Sequence, residues 1–161
     1  MRANALPWIG LAIRLSAAAI WLVAGVAKIA DLTAFRQEVA AYDVAPSILV
    51  DPIAYALPFL EIALGIYFAL GLLVRPAAAL SLALMLLFIG VQAQAWARGL
   101  SIQCGCFGRL SKETVGMESV VRDVLLTIPS LVLVLKPARH LSLDRRLLGR
   151  PDAFASKSQA V

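Results

Sequence analysis

A chain of 161 residues that is 61% hydrophobic and 16% charged carries more apolar surface than an ordinary soluble domain of this size needs. Its strongly positive mean hydropathy excludes that class and makes it an integral membrane protein, with the lipid bilayer as its first partner. The net charge of +5 is spread over loops, so it argues about membrane topology and against nucleic acid as a partner.

The first apolar stretch, residues 6–29, meets the roughly 20 residues a spanning helix needs. It is longer than the apolar core of a signal peptide and runs into Lys28 and Asp31 rather than a small-residue cleavage site, so we expect it to be retained. Residues 31–45 are too polar to cross, and Leu32, Phe35, Val39 and Tyr42 fall near helical spacing. That pattern predicts a short helix lying on the membrane surface, capped by Asp31 or Thr33 and stopped by Pro46 and Pro52. A second span is expected over 53–74 and a third over 76–97, and Arg75-Pro76 makes the turn between them tight enough for antiparallel neighbours. The loop 98–116 carries Gly99, Gly105, Gly108 and Gly116, a density that suits turns rather than regular structure. A fourth span follows over 117–135, with Pro129 expected to kink it or remove a hydrogen bond. The fold class is therefore all-α: an integral membrane four-helix bundle with a short interfacial helix after the first span. Residues 1–136 form this transmembrane domain, and 137–161 form a basic tail that includes the sole histidine, His140.

The charges sort by loop. Both termini and the middle turn hold Arg2, Arg75, Lys136, Arg139, Arg145, Arg146, Arg150 and Lys157. The other side holds Lys28, Arg36, Arg98, Arg109 and Lys112, and its first loop adds Asp31, Glu38, Asp43 and Asp51. By the positive-inside rule both termini are expected in the cytoplasm of an inner (plasma) membrane protein, with both long loops outside. The tail would lie against anionic headgroups.

Four ionisable residues, Arg14, Glu61, Arg122 and Asp123, fall inside the expected spans. Each costs roughly 2.5 kcal/mol or more in hydrocarbon unless it finds a partner or water, so all should point into the bundle. Depth along the helices favours an Arg14/Glu61 pair, with Arg122 sharing the carboxylate from above and Asp123 meeting Lys28 or Arg98 near the outer interface. Such pairs either fix helix packing or make a proton path and polar pocket beneath the loop, which Gln92 and Gln94 can extend. Tyr55, Trp96 and Phe107 read as interfacial anchors.

The only two cysteines stand one residue apart in Cys104-Gly105-Cys106-Phe107-Gly108. A pair joined through one glycine can close into a small, strained disulfide that exchanges readily, and a disulfide closing so short a loop adds little stability. Arg98, Arg109 and Lys112 flank the pair and favour a thiolate. The other readings are a structural crosslink, a Cu(I) clip of a copper-handling protein, and inert cysteines in a non-catalytic interaction protein. With two cysteines the chain cannot relay electrons between two internal pairs. It must exchange with an external dithiol protein, the favoured route, or pass electrons to a quinone held between helix ends.

The run from Ala97 through Cys104-Gly105-Cys106-Phe107-Gly108 resembles the outer loop of the MauE family, within the broader group of DoxX-like four-helix membrane proteins. Gly25-Val-Ala-Lys28 followed by Asp31 and Phe35, Pro58-Phe-Leu-Glu61-Ile-Ala-Leu-Gly65, and Gly71-Leu-Leu-Val-Arg75 agree with it. The resemblance covers roughly residues 10–136. It implies a role in maturing a disulfide-rich amine dehydrogenase subunit, as in methylamine metabolism, beside a thioredoxin-like extracytoplasmic partner, with Cys104 and Cys106 as the redox pair.

Overall fold

The structure, a computed structural model, describes residues 6–104 and 114–136. It is all-helical apart from an isolated antiparallel bridge between Gln103 and Thr114. Four long helices, α1 (Leu6–Ala30), α3 (Ser47–Leu70), α4 (Val74–Ala97) and α5 (Met117–Leu135), alternate in direction along the chain, and α2 (Leu32–Ala41) is a short helix after the first. By length and composition α1, α3 and α4 can each cross a membrane; at about 1.5 Å per residue, their 24 or 25 residues exceed a hydrocarbon core of about 30 Å. α5 carries Glu118, Arg122 and Asp123 in its first two turns and is the most amphipathic of the four.

α1 packs chiefly on α3, and α4 on α5; contacts of α1 with α5 join the two pairs, while α3 and α4 touch lightly despite their short connection. The α1/α3 approach is close because of two glycines. A Cβ on Gly25 would stand 2.8 Å from the Pro58 carbonyl, and one on Gly65 would stand 2.6 Å from Leu22 Cγ. Small residues let helix backbones meet where lipid gives little hydrophobic drive.

Turn chemistry sets the helix ends. Asp31, not Thr33, caps α2, its carboxylate accepting from the Ala34 N–H at 3.0 Å. Gly71, at φ +68°, ends α3, and the Leu72 N–H reaches back to the Tyr67 carbonyl at 3.0 Å. That closure needs a left-handed residue, which glycine adopts without a Cβ penalty. α3 differs from expectation at both ends. It starts at Ser47 and runs through Pro52 rather than being delayed by it, and Val74 opens α4 instead of closing the second span. Proline inside a spanning helix is tolerated when neighbouring helices cover the freed carbonyl. Only Pro46 punctuates, as the residue just before the helix.

Polarity is inverted relative to a soluble bundle. Ile9, Val26, Phe59, Leu86, Leu87, Leu125 and Ile128 face outward, while Arg14, Lys28, Glu61, Ser81, Gln92, Ser119, Asp123 and Ser130 are all at most 2% exposed. Trp21 donates through Nε1 to Ser81 Oγ at 2.6 Å, and Ser81 shares a 2.7 Å hydrogen bond with Ser130 on α5. These bonds tie three helices together through the apolar core of Trp21, Phe68, Ala78 and Leu133.

Candidate functional site

The cysteine loop leaves the bundle through a pinned stem. Arg98 ends α4, and Ile102 accepts a backbone hydrogen bond from Val115 at 2.8 Å beside the Gln103/Thr114 bridge. Ser119 then closes the start of α5, accepting from the Gly116 N–H at 3.0 Å. Cys104 sits at the end of this stem and is 2% exposed, in a cluster with Tyr42, Ala95 and Val115. Gly105, Cys106, Phe107, Gly108 and Arg109 lie outside the described residues, as does the 137–161 tail.

Among the described residues, Tyr42 and Arg122 hold Cys104. The Tyr42 hydroxyl, brought in by the end of α2, donates to the Cys104 carbonyl at 2.7 Å. Arg122, on α5, places Nη2 3.4 Å from the Cys104 sulfur and Nε 3.2 Å from Asp123 Oδ1. Asp123 in turn accepts from Gln92 Nε2 on α4, so the guanidinium is oriented from behind by a buried carboxylate that a second helix holds. A nucleophile facing a cation that a third group orients is an arrangement suited to an activated thiol.

Below lies a second charged centre. Lys28 Nζ donates to both Glu61 oxygens, at 2.7 and 2.9 Å, with both side chains 1% exposed. The ammonium also lies 5.4 Å from the Phe35 ring centre and 5.5 Å from that of Phe88, within cation–π range. A cavity of about 20 Å³ lined by Lys28, Glu61, Asp123, Trp21, Met85 and Phe88 joins the two centres. Its size suits water.

The expected Arg14/Glu61 pair does not form: both Glu61 oxygens belong to Lys28. Helix register is the reason. Leu22 lies against Gly65 and Gly25 against Ile62, which sets Glu61 level with about residue 26, and Arg14 falls twelve residues away, about 18 Å of helix. Arg14 is buried toward the opposite end of the bundle. Arg122 turns to Asp123 and Cys104 rather than sharing the Glu61 carboxylate. Asp123 meets Gln92 and Arg122, with Lys28 across the cavity. Arg98 goes elsewhere: it donates to the Tyr42 carbonyl and reaches Asp43, both at 3.4 Å, bracing the end of α2. Tyr42, read in the sequence only as an apolar position, and Phe88, not singled out there, are the contributors that sequence reasoning missed.

On the rim, burial pushes the Glu38 carboxyl above its ordinary range; Lys28 opposes that shift and Asp31 adds to it. Glu38 Oε2 is buried and has no hydrogen-bond partner among the described residues. Among those residues no three of His, Cys, Asp and Glu gather as a metal site.

No solved structure matches the chain. A curated relative, methylamine utilization protein MauE of Paracoccus denitrificans, is 30% identical over 128 residues, covering 79% of this chain and 69% of the relative. The family model described as methylamine utilisation protein MauE matches residues 6–136, which take in every helix and both charged centres. The chain belongs to the MauE family.

Proposed function

We propose that this protein is a membrane thiol–disulfide exchange protein in which Cys104 and Cys106 trade electrons with a thioredoxin-like protein outside the cytoplasm. The observation that carries the reading is the Arg122 guanidinium 3.4 Å from the Cys104 sulfur, oriented by Asp123. A cation at that distance favours the thiolate, the form that attacks a disulfide. Burial of the thiol beside this guanidinium in a spanning bundle fits exchange better than a structural crosslink. The distribution of basic residues supports cytoplasmic termini and an external cysteine loop, in an inner membrane whose outer side favours disulfides. The relative's name supports a client in methylamine utilisation, a disulfide-rich secreted subunit being the class that needs such exchange.

Electron flow follows the partner's redox state. An oxidised partner takes two electrons from the Cys104/Cys106 dithiol, and a reduced partner returns them. A membrane-impermeant thiol reagent applied to whole cells should label the reduced pair, and Cys104→Ser and Cys106→Ser should each abolish maturation of the client while the bundle stays folded. Full maturation in both variants would remove the redox reading, and labelling that requires lysis would invert the topology.

A further inference from the structure

α3 and α4 are joined through residues 71–73 alone, yet they touch lightly. The space left between them is a groove of about 170 Å³. Ala63 and Ala77 are recessed in it, while Leu60, Tyr67, Leu73 and Leu80 are exposed along it. Both helices are long and apolar enough to cross a membrane, so the groove opens on hydrocarbon, and water would find too few polar partners there to stay. Leu73 is held in the left-handed region at φ +46°, where a side chain strains the backbone and glycine does not. Leucine there gains nothing for the turn; its half-exposed side chain walls the groove at the end nearest the turn. Arg75 stands exposed between the lining residues Leu73 and Pro76, and its guanidinium has no ion pair or hydrogen bond among the described residues. Charge at this end of the bundle has one sign: Arg75 and Lys136 are exposed there, the described carboxylates of α2 and α5 lie toward the other end, and Glu61 is spent on Lys28.

We infer that this groove is a binding site for an anionic phospholipid of the leaflet at the α3–α4 turn, with an acyl chain lying between the two helices and the headgroup phosphate paired with Arg75. A second copy of the chain fits the groove less well. Helices associate in lipid through small residues that let backbones close up, whereas Leu60, Tyr67, Leu73 and Leu80 hold a neighbouring backbone off and leave the slot between them to a flexible chain. Headgroup charge follows from the same end of the bundle. A zwitterionic lipid brings a cation that no described carboxylate there receives, and an anionic one brings only the charge that Arg75 attracts.

The test is native mass spectrometry of the full chain released from nanodiscs of phosphatidylcholine carrying a minor share of phosphatidylglycerol. The wild-type protein should retain phosphatidylglycerol in preference to phosphatidylcholine. Arg75→Gln should cut that preference roughly fivefold, the factor that one cation near an anionic surface gives, whereas Lys136→Gln, which removes a charge at the same end but outside the groove, should change it little. Ala63→Phe fills the groove and should lose bound lipid of either headgroup. Leu73→Gly takes away a wall while relieving the left-handed backbone, so it should retain less lipid and unfold at no lower temperature, which separates loss of the site from loss of the fold. An equal fall in Arg75→Gln and Lys136→Gln means a general surface attraction and overturns the site. Wild-type lipid retention in both groove variants overturns it too, as does a wild-type dimer that Ala63→Phe abolishes, since the occupant is then a second copy of the chain.

Discussion

Lys28 and Glu61 show how much a single partner matters inside a membrane. Each is 1% exposed, and Glu61 spends both oxygens on the ammonium. Removing one partner leaves the other's charge buried and uncompensated, so Glu61→Gln and Lys28→Met should each destabilise the bundle by about 3–5 kcal/mol. Replacing both, Lys28→Met with Glu61→Leu, should recover most of that loss, as thermal unfolding in detergent would register. If the double variant keeps full thiol exchange, the pair serves packing alone. If it folds normally but exchanges slowly, the cavity shared with Asp123 serves the chemistry.

Glu38 gives a prediction with a pH sign. Burial holds its carboxyl above the ordinary 4.5 of an exposed glutamate, so the folded state holds the proton more tightly than the unfolded chain does. Stability therefore falls as pH rises from about 4.5 toward the folded value, since the native state binds more protons across that window. Glu38→Gln carries no charge to desolvate. It should stabilise the protein at neutral pH by about 0.5 kcal/mol, a figure discounted for partial exposure, and the gain should vanish below the 4.5 of the unfolded carboxyl. Unfolding midpoints measured at acid and neutral pH decide it; a gain that persists in acid rules out this cause.

Between elements, the α1/α3 contact carries the register on which the Lys28–Glu61 pair depends. A methyl on Gly25 would meet the Pro58 carbonyl and Ile62 inside ordinary contact distance, and overpacking of this kind costs about 1–3 kcal/mol. Gly25→Ala should lower the unfolding temperature accordingly. Gly90→Ala, where nothing lies within 4 Å of the added carbon, should raise it slightly, by about 0.5–1 kcal/mol from helix propensity. The same contact explains which parts of the molecule are legible in the sequence. Hydropathy locates α1 and α4 to within a few residues because lipid exposure writes a continuous signal. That Gln92 joins a polar network at this end of the bundle is readable from its depth, but its bond to Asp123, which the sequence gives to Lys28 or Arg98, is not. The partner of Glu61 is not readable, because it depends on where Gly25 and Gly65 let two backbones meet. Tyr42 hides for another reason: on a helical wheel its ring counts as apolar, and only the position of the loop stem gives its hydroxyl an acceptor.

The whole molecule is a bundle whose apolar surface looks outward and whose polar groups run along its interior, from Arg14 near one end, through Ser81 and Ser130, to Lys28, Glu61, Asp123 and Cys104 at the other. That column crosses helices that are not all self-sufficient in lipid. α5 places Arg122 and Asp123 side by side in its second turn, and each would be costly there if the helix met lipid alone. Gln92 of α4 already bonds Asp123, so during biogenesis α4 and α5 should leave the insertion machinery together, as one hairpin whose polar seam closes before lipid reaches it. A reporter enzyme fused after Lys136 would read this directly: Gln92→Leu should strand a fraction of chains with α5 uninserted and the reporter on the far side of the membrane. The Gln92–Asp123 bond behind the guanidinium that faces the Cys104 sulfur is then also what orders the assembly of the protein.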